Sequence, residues 1–326
     1  MADRPFALVI GAGVIGLTTG IRLLEAGWNI EIHAEQLPAE TTSVAAGALC
    51  GLAFAEPMTK VPGWEAATQR ELAHMAAATG SGVHVERGLL ASRSAVEPPP
   101  PLRALPGFAV ADARDLPAGF AGGFWVRMPV VDMPRHMRYL AGRFERSGGV
   151  IVRRRVAALS DVAGDVPVVV NCAGAGAGAL TGDASLTASR GQHVVVANPG
   201  IDHFFMEGPP GAAAWASFVP HGDEVVLGGV AAEDNWDTTP DPTVARHIID
   251  RCAEIDPRLA DARVIEHRVG LRPQRPAVRV DAEMIGTAQV IHNYGHGGLG
   301  VTLSWGCADE VVALLAEVPA GVTVRT

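Results

Sequence analysis

The chain has 326 residues, of which 48% are hydrophobic and 19% are charged. That composition excludes a disordered chain, and the length suits one large domain or two ordinary ones. Lysine and arginine total 26 against 35 acidic residues, a formal net charge of −9, which disfavours nucleic acid as a partner.

The cysteines and the apolar runs of the sequence indicate the cellular compartment that we expect for the protein. The four cysteines (Cys50, Cys172, Cys252 and Cys307) lie far apart without metal-ligand spacing. We therefore expect reduced thiols in a cytoplasmic protein and no metal site. No run of 18 uninterrupted apolar residues occurs, so we predict no membrane span. The sequence gives no support for or against a homo-oligomer.

The first elements form a β-α-β unit. Phe6–Ile10 is a short apolar run, typical of a parallel strand that is covered on both faces. From Val14 onwards apolar residues recur at helical spacing, and Gly27 stands where a helix would end. Residues 29–33 then predict a second strand.

The remaining chain has fewer regular elements at its centre. Residues 64–79 predict a helix, and the proline-rich residues 97–101 begin an irregular stretch that we expect to continue to about residue 131. Asp132 is a candidate N-cap with Pro134 in the first turn of the next helix. Further predictions are strands at residues 150–156, 166–171, 192–197, 224–230 and 290–293, and helices at residues 241–252 and 302–317. Arg153, Arg154 and Arg155 are interpreted as a solvated strand.

The order of these elements predicts an α/β fold with two discontinuous domains. We expect a Rossmann-type nucleotide-binding domain and a second, strand-rich α+β substrate domain. The first domain would comprise residues 1–50, 145–192 and 265–326, and the second residues 51–144 and 193–264.

The strongest motif is a glycine turn between the first strand and the first helix. Gly11, Gly13 and Gly16 have G-x-G-x-x-G spacing, which permits a tight turn, a close approach of the backbone to a pyrophosphate, and packing of helix on strand. Glu35 follows Gly16 by 19 residues (35 − 16), where an acidic side chain can hold a ribose hydroxyl. The motif predicts dinucleotide binding and leaves NAD and FAD open.

Two further glycine-rich segments follow predicted strands. Residues 171–178 contain three glycines at alternate positions, which fit either a ligand against bare backbone or a simple turn. Residues 295–300 lead into an apolar helix, whose N-terminus suits an electron-rich carbonyl or a developing anion. His292 and His296 are four residues apart but have no nearby carboxylate, so we interpret them as polar loop residues.

Arg272 lies in a segment with two X-Pro turns, at residues 268–276. A guanidinium can bind a substrate carboxylate through two parallel hydrogen bonds. The alternative is that Arg272 is a surface arginine beside a proline turn. The segment by itself favours this alternative.

Taken together and in this order, these segments resemble the D-amino-acid oxidase family of FAD enzymes, which includes D-aspartate oxidase. The resemblance is carried by residues 9–17, 41–47, 171–174, 190–192, 227–229, 270–273 with 275–276, and 292–300 with 305–308. It implies FAD as the cofactor, a D-amino acid and molecular oxygen as substrates, and oxidative deamination by hydride transfer to flavin N5. The products would be a 2-oxo acid, ammonia and hydrogen peroxide.

The resemblance also assigns roles to residues. The pyrophosphate would lie at Gly11, Ala12, Gly13, Val14, Ile15 and Gly16, the ribose at Ala34 and Glu35, and the phosphate and flavin side at Thr41, Thr42 and Ser43. Val156, Ala173 and Gly174 would flank the adenosine, and the flavin ring would contact Gly47, Ala48 and Leu49 on one side and Gly297, Gly298, Leu299, Gly300, Val301 and Thr302 on the other. Arg272 would bind the substrate carboxylate, and the carbonyl of Gly298 would accept a hydrogen bond from the substrate amine.

The sequence departs from the family around the substrate. Where family members place two tyrosines, an ungapped match gives Ala213 and Ser217, so Ser217 would offer a weaker hydroxyl beside the substrate. Residues 204–219 contain no arginine or lysine, and a desolvated, unpaired carboxylate is costly. We therefore expect neutral or apolar D-amino acids rather than D-aspartate. Two alternatives stay open: an oxidase of another small amine or imino acid, such as glycine, sarcosine or a biosynthetic intermediate, and a flavin-binding protein without turnover.

Overall fold

The computed structural model describes residues 4–95, 97–208 and 213–316. The strands are β1 (Phe6–Ile10), β2 (Asn29–Ala34), β3 (Ala48–Leu49), β4 (Val83–Ser92), β5 (Ala109–Val110), β6 (Gly122–Val131), β7 (Val150–Arg153), β8 (Val168–Asn171), β9 (Thr187–Ala197), β10 (Phe204–Gly208), β11 (Ala214–His221), β12 (Glu224–Val230), β13 (Ala232–Glu233), β14 (Val264–Gln274), β15 (Arg279–Ile285) and β16 (Ala288–Tyr294). The α-helices are α1 (Val14–Glu25), α2 (Val61–Ala76), α3 (Pro100–Arg103), α4 (Met133–Arg146), α5 (Ser160–Ala163), α6 (Ala177–Thr181), α7 (Pro242–Ile255) and α8 (Gly300–Ala316).

Six strands form a mostly parallel sheet in the order β15-β16-β8-β1-β2-β7. The strands from β16 to β7 run parallel, and β15 joins β16 as an antiparallel hairpin. β1 lies at the centre because its residues Ala7 and Val9 are fully buried and its apolar run needs cover on both faces. This sheet is the predicted Rossmann-type layer, and the α/β fold class is confirmed.

The second sheet has ten strands and supplies the strand-rich part of the fold. Its main path is β13-β9-β12-β11-β10-β4-β6-β3, with β14 paired to β9 and β5 to β6. Most pairs are antiparallel, and β10 joins β4 in parallel. One face of the sheet packs on α7 through the buried Ile248 and Cys252.

The expectation of an irregular stretch from residue 97 to about residue 131 is wrong at its end, because residues 122–131 form the ten-residue strand β6. The strand β4, which precedes this stretch and which the sequence pattern does not predict, pairs with β6 over the full length of both strands. Charged residues and a glycine in the middle of β4 (Glu86, Arg87 and Gly88) break the alternation that would have revealed it. The predicted strand 150–156 is too long, because β7 ends at Arg153.

The helices α1, α2, α4 and α8 form a layer against the six-stranded sheet. Trp305 of α8 is fully buried there, with the guanidinium carbons of Arg22 and Arg143 at 4.6 and 4.9 Å from its ring centroid. Both arginines also bind the carboxylate of Glu71, at 3.0 and 2.9 Å. As predicted, Asp132 caps α4 by accepting a hydrogen bond from the backbone N–H of Arg135.

The sheets share segments of the chain, which bears on the proposed domains. Residues 265–274 of β14 and 187–192 of β9 lie in the ten-stranded sheet, although they fall within the segments assigned to the nucleotide-binding domain. The boundaries given above remain a proposal, and their last segment includes residues 317–326, which lie outside the described residues.

One helical stretch in the described part of the chain, Gly297–Ala316, is long and apolar enough to cross a bilayer. Within this stretch, 56% of the most apolar 18-residue segment is buried inside the protein. The helix packs there against α1 and α2. Such burial is typical of the core helix of a globular protein, which passes the same test of length and apolarity.

Candidate active site

A single continuous cavity of about 1340 Å³ joins the two sheets. It exceeds the 300–1,000 Å³ that is usual for one small ligand. Every residue assigned to the cofactor or the substrate in the sequence lines it, except Gly16. These residues come from distant parts of the chain, so the fold has gathered them at one place.

The glycine turn between β1 and α1 has the shape that its motif predicts. Gly11 has a φ of +104°, and a Cβ there would lie 2.5 Å from the carbonyl oxygen of Cys172. A Cβ on Gly16 would lie 1.9 Å from the carbonyl oxygen of Gly11. Gly16 therefore packs the helix onto the turn, which explains why it does not line the cavity.

The segment Thr41 to Ser43 closes over this turn. The Ser43 hydroxyl accepts a hydrogen bond from the backbone N–H of Val14 at 3.0 Å, which occupies one of the free donors at the start of α1. The Thr42 hydroxyl accepts one from the backbone N–H of Leu271 at 3.3 Å. This segment thus links the glycine turn to β14, the strand that carries Arg272.

The ribose end of the cavity carries charges of both signs. Ala34 ends β2 and Glu35 follows it, and both line the cavity together with Val156. Arg155 lies 3.8 Å from the Glu35 carboxylate, and Arg154 also lines the cavity. The arginine run is exposed, as expected of a solvated segment, but two of its members border the cavity, which sequence reasoning missed.

The two later glycine segments also reach the cavity. The Asn171 side chain accepts a hydrogen bond from the backbone N–H of Ala173 at 3.2 Å, and Gly174 has a φ of +56°. Gly297 has a φ of +54° and begins a single 3₁₀ turn that leads directly into α8. Of the two readings left open for residues 171–178, the structure supports a turn that also borders a ligand cavity.

The interpretation as a polar loop residue is wrong for His292, whereas His296 does lie in the loop that follows β16. His292 lies on β16, fully buried, and its Nε2 is 2.7 Å from the Glu283 carboxylate. His296 is 4% exposed, lines the cavity, and burial lowers its pKa to about 4. Among the residues that the structure describes, no group of three or more possible ligands could hold a metal ion.

Arg272 projects into the cavity from β14. Its Nη1 donates a hydrogen bond to the carbonyl oxygen of Val230 at 3.1 Å, and its guanidinium lies over Gly191, where a Cβ would be 2.6 Å from Nη2. Its Cδ is 3.5 Å from the position of a Cβ on Gly298. Burial lowers the Arg272 pKa and the charge of Glu233 raises it, and an arginine stays protonated under such conditions.

Arg272 has no carboxylate within salt-bridge distance among the residues that the structure describes. Its neighbours on the same segment differ, since Arg268 binds Glu266 and Arg275 binds Asp183. A partly buried, unpaired guanidinium in a cavity is a binding group for an anion. The alternative of a surface arginine beside a turn is therefore wrong for Arg272.

His193 is a cavity residue that sequence reasoning missed. Its Nδ1 lies 2.7 Å from the carbonyl oxygen of Ala45, so Nδ1 carries the proton and Nε2 is an acceptor. A Cβ added to Gly47 would lie 3.2 Å from Nε2, and one added to Gly228 would lie 2.7 Å from it, so both glycines leave room for the ring. Burial and then the charge of Arg272 lower the His193 pKa to about 4, which keeps the ring neutral at pH 7.

Of the two positions where the resemblance places tyrosines, only one reaches the cavity wall. Ser217 is 7% exposed and lines the cavity, and its Oγ lies 3.3 Å from the position of a Cβ on Gly228. Ala213 is exposed, and residues 209–212 before it lie outside the described residues. Ser217 is therefore the hydroxyl that this chain offers at the substrate end.

The residues of the glycine turn fit a dinucleotide. Bare backbone at Gly11 and Gly13, a helix N-terminus at Val14 and an acidic side chain at Glu35 form the cradle that a pyrophosphate and a ribose require. The cavity continues from this cradle to Arg272, so a ligand held there would reach the unpaired guanidinium.

Comparison with known proteins identifies the class. A family model described as FAD dependent oxidoreductase matches residues 7–314. The chain is 42% identical over 310 residues to a D-amino-acid oxidase of Rubrobacter xylanophilus, covering 94% of this chain and 95% of that protein. It is 40% identical over 311 residues to a D-amino-acid oxidase of Streptomyces coelicolor, with coverages of 94% and 95%.

A solved structure, glycine oxidase from Geobacillus kaustophilus, shares the fold with a TM-score of 0.79 at 18% identity, covering 95% of this chain and 94% of that one. The chain belongs to the family of FAD-dependent oxidoreductases. Its cofactor is FAD, and the relatives at about 40% identity carry the name D-amino-acid oxidase.

Proposed function

We propose that the protein oxidises D-amino acids whose side chains are neutral or apolar. A D-amino acid, molecular oxygen and water would give a 2-oxo acid, ammonia and hydrogen peroxide. The names of the relatives at 42% and 40% identity support this reaction. The observation that carries the proposal is the unpaired Arg272 in the same cavity as the dinucleotide cradle.

Arg272 and Gly298 would hold the two polar groups of the substrate. The guanidinium binds the carboxylate, and the carbonyl of Gly298, on the adjacent glycine segment, accepts a hydrogen bond from the amine. When the carboxylate and the amine are both held, the α-hydrogen of each enantiomer can point in only one direction. The site can therefore select the enantiomer whose α-hydrogen points towards the flavin. Bound FAD supplies the acceptor for the hydride from the α-carbon.

The expected preference against D-aspartate rests on the charges beyond Arg272. Arg93, a cation that reaches β10, binds the Glu207 carboxylate at 2.6 Å and is thereby neutralised. Met206, Leu90 and Trp215 contribute apolar surface to the cavity. A second carboxylate would lose its hydration there without gaining a partner.

Peroxide release by the FAD-loaded protein across a panel of D- and L-amino acids, glycine and sarcosine tests the proposal. We expect neutral D-amino acids to be the best substrates. D-aspartate as the best substrate would overturn the preference. If glycine or sarcosine is the best substrate, the protein is an oxidase of another small amine. If none of these compounds is oxidised, it is a flavin-binding protein without turnover.

Arg272→Ala tests the carboxylate site. We expect kcat/KM to fall by at least about a hundredfold while the protein stays yellow, because a desolvated charge pair is lost but the cofactor contacts are kept. Arg272→Lys should recover only part, since it lacks the two parallel donors. Arg268→Ala, on the same strand but paired with Glu266, is the matched control. An unchanged kcat/KM in Arg272→Ala would remove Arg272 from the site.

A further inference from the structure

Four side chains lie at one level across the second sheet and face the cavity. In the register of the sheet, Phe124 of β6 is opposite Leu90 of β4, Leu90 is opposite Met206 of β10, and Met206 is opposite Ser217 of β11. All four line the cavity. Residues at the same level of neighbouring strands project from the same face, so these side chains form a continuous row.

This row leads away from the carboxylate site. Ser217 is opposite Gly228, whose missing side chain leaves space for His193 next to Arg272. Strands lie about 4.8 Å apart, so the three steps from Ser217 to Phe124 span about 14 Å. The row therefore begins with a hydroxyl near Arg272 and continues with three apolar side chains.

The walls at the far end of the row are also apolar. Leu102 of α3 and Leu105 after it pack on Phe124 and Met128 in one cluster, and all four line the cavity. Phe124 is 8% exposed and Met128 is 5% exposed. The segment with the proline run thus covers an apolar chamber that is continuous with the substrate end.

The acidic residues beside this chamber do not change its character. Glu207 follows Met206 on β10 and also borders the cavity, but by the alternation of the strand its side chain projects from the other face of the sheet. There its carboxylate accepts hydrogen bonds from Arg93 at 2.6 Å and from the backbone N–H of Ala216 at 2.8 Å. Glu97 is exposed at the rim of the cavity.

We propose that the substrate side chain lies along this row, and that Leu90 and Phe124 set the length and bulk of the side chain that the protein prefers. The substrates would be D-amino acids with long aliphatic or aromatic side chains, ahead of D-alanine. This inference rests on the proposed function, because it assumes that Arg272 holds the carboxylate of a D-amino acid. Each methylene that the row buries raises kcat/KM about fourfold.

A homologous series of substrates tests the row in the FAD-loaded protein. We expect kcat/KM to rise about fourfold per methylene from D-alanine through D-2-aminobutyrate and D-norvaline to D-norleucine, with D-phenylalanine also above D-alanine. Leu90→Trp should lower the ratio of kcat/KM for D-norleucine over D-alanine at least tenfold. Leu90→Ala should shift the optimum towards D-2-aminooctanoate.

The matched control is Val110→Trp, since Val110 is opposite Phe124 on β5 but is 69% exposed. It should leave the selectivity ratio as in the unmodified protein. If D-alanine is oxidised but kcat/KM stays constant or falls along the series, the role of the row in binding the substrate side chain is overturned, and the proposed function stands. If the yellow protein oxidises no D-amino acid, the proposed function fails and this inference with it.

Discussion

The two ends of the cavity are built in different ways. The cofactor end is centred on one β-α-β unit, in which the turn from Gly11 to Gly16 is set by close contacts with the backbone of His33 and Cys172. The substrate end takes single residues from separate strands, among them Leu90, Ser217 and Arg272. Backbone shape therefore governs the first, and side-chain identity governs the second.

This difference has a consequence for tolerance to change. At Gly11 and Gly16 of the cofactor end a single added Cβ meets backbone atoms that cannot move, so one methyl group suffices to disrupt the turn. At the substrate end a changed side chain leaves the strands in register and alters only what the cavity accepts.

The largest effect that we predict is for Gly16→Ala at the cofactor end. The new Cβ would lie 1.9 Å from the Gly11 carbonyl oxygen, which belongs to a turn held by β1. We expect the purified protein to be colourless, with the FAD dissociation constant raised at least about a hundredfold, because the helix must move off the turn. Absorbance at 450 nm and titration with FAD measure this.

Gly13→Ala is the matched control for that substitution. Its Cβ would meet the Ser43 hydroxyl at 3.1 Å, a side chain that can shift slightly, and would narrow the space that the pyrophosphate approaches. Because the helix need not move, we expect FAD to be retained with a smaller loss of affinity than in Gly16→Ala. Equal loss in both variants, or full retention of FAD in Gly16→Ala, would contradict the claim that backbone contact governs this end.

The second-largest effect that we predict is on the pH dependence of stability, and it arises in the helical layer rather than at either end of the cavity. His136 of α4 is 1% exposed, its Nδ1 donates to the Ser81 carbonyl at 2.9 Å, and burial lowers its pKa to about 4. The unfolded chain, with an ordinary histidine pKa near 6.5, binds this proton more readily, so stability is lost as the pH falls from about 6.5 towards 4. Between pH 7 and pH 5 the loss amounts to about 2 kcal/mol.

His136→Asn removes this titration while keeping a donor near Ser81. Although the variant is less stable at pH 7, its free energy of unfolding in urea should fall by about 2 kcal/mol less than that of the unmodified protein between pH 7 and pH 5. Both proteins are compared with saturating FAD. Identical pH dependence in the two would show that His136 is protonated in the folded state.

The sequence predicts the cofactor end well because its determinants are local. The turn at Gly11 and the position of Glu35 directly after β2 each follow from residues within one or two elements, as does the cap of α4 at Asp132 outside the cavity. The resemblance added the distant glycine segments. Local pattern and tertiary structure agree at these positions, so the prediction needs no knowledge of strand pairing.

The substrate end could not be predicted in the same way. Leu90, Phe124 and His193 reach the cavity only because of strand register, which the sequence of any single strand leaves open. The arginine and glycine residues interrupting β4 hid one of the strands that carry the row. His193 gave a weak signal, since it directly follows the segment 190–192 that carries part of the resemblance.

The smallest effect is expected for Ser217→Ala, at the position of a family tyrosine. A neutral hydroxyl contributes about 0.5–1.5 kcal/mol, so KM for a neutral D-amino acid should rise about two- to tenfold with kcat nearly constant. Ser217→Thr, which keeps the hydroxyl, should stay closer to the unmodified protein. Steady-state kinetics of both variants beside Arg272→Lys decide how the carboxylate is held. If Ser217→Ala lowers kcat/KM as much as Arg272→Lys, the hydroxyl has taken over the role of the tyrosine, and the substrate end depends on a pair of residues rather than on one guanidinium.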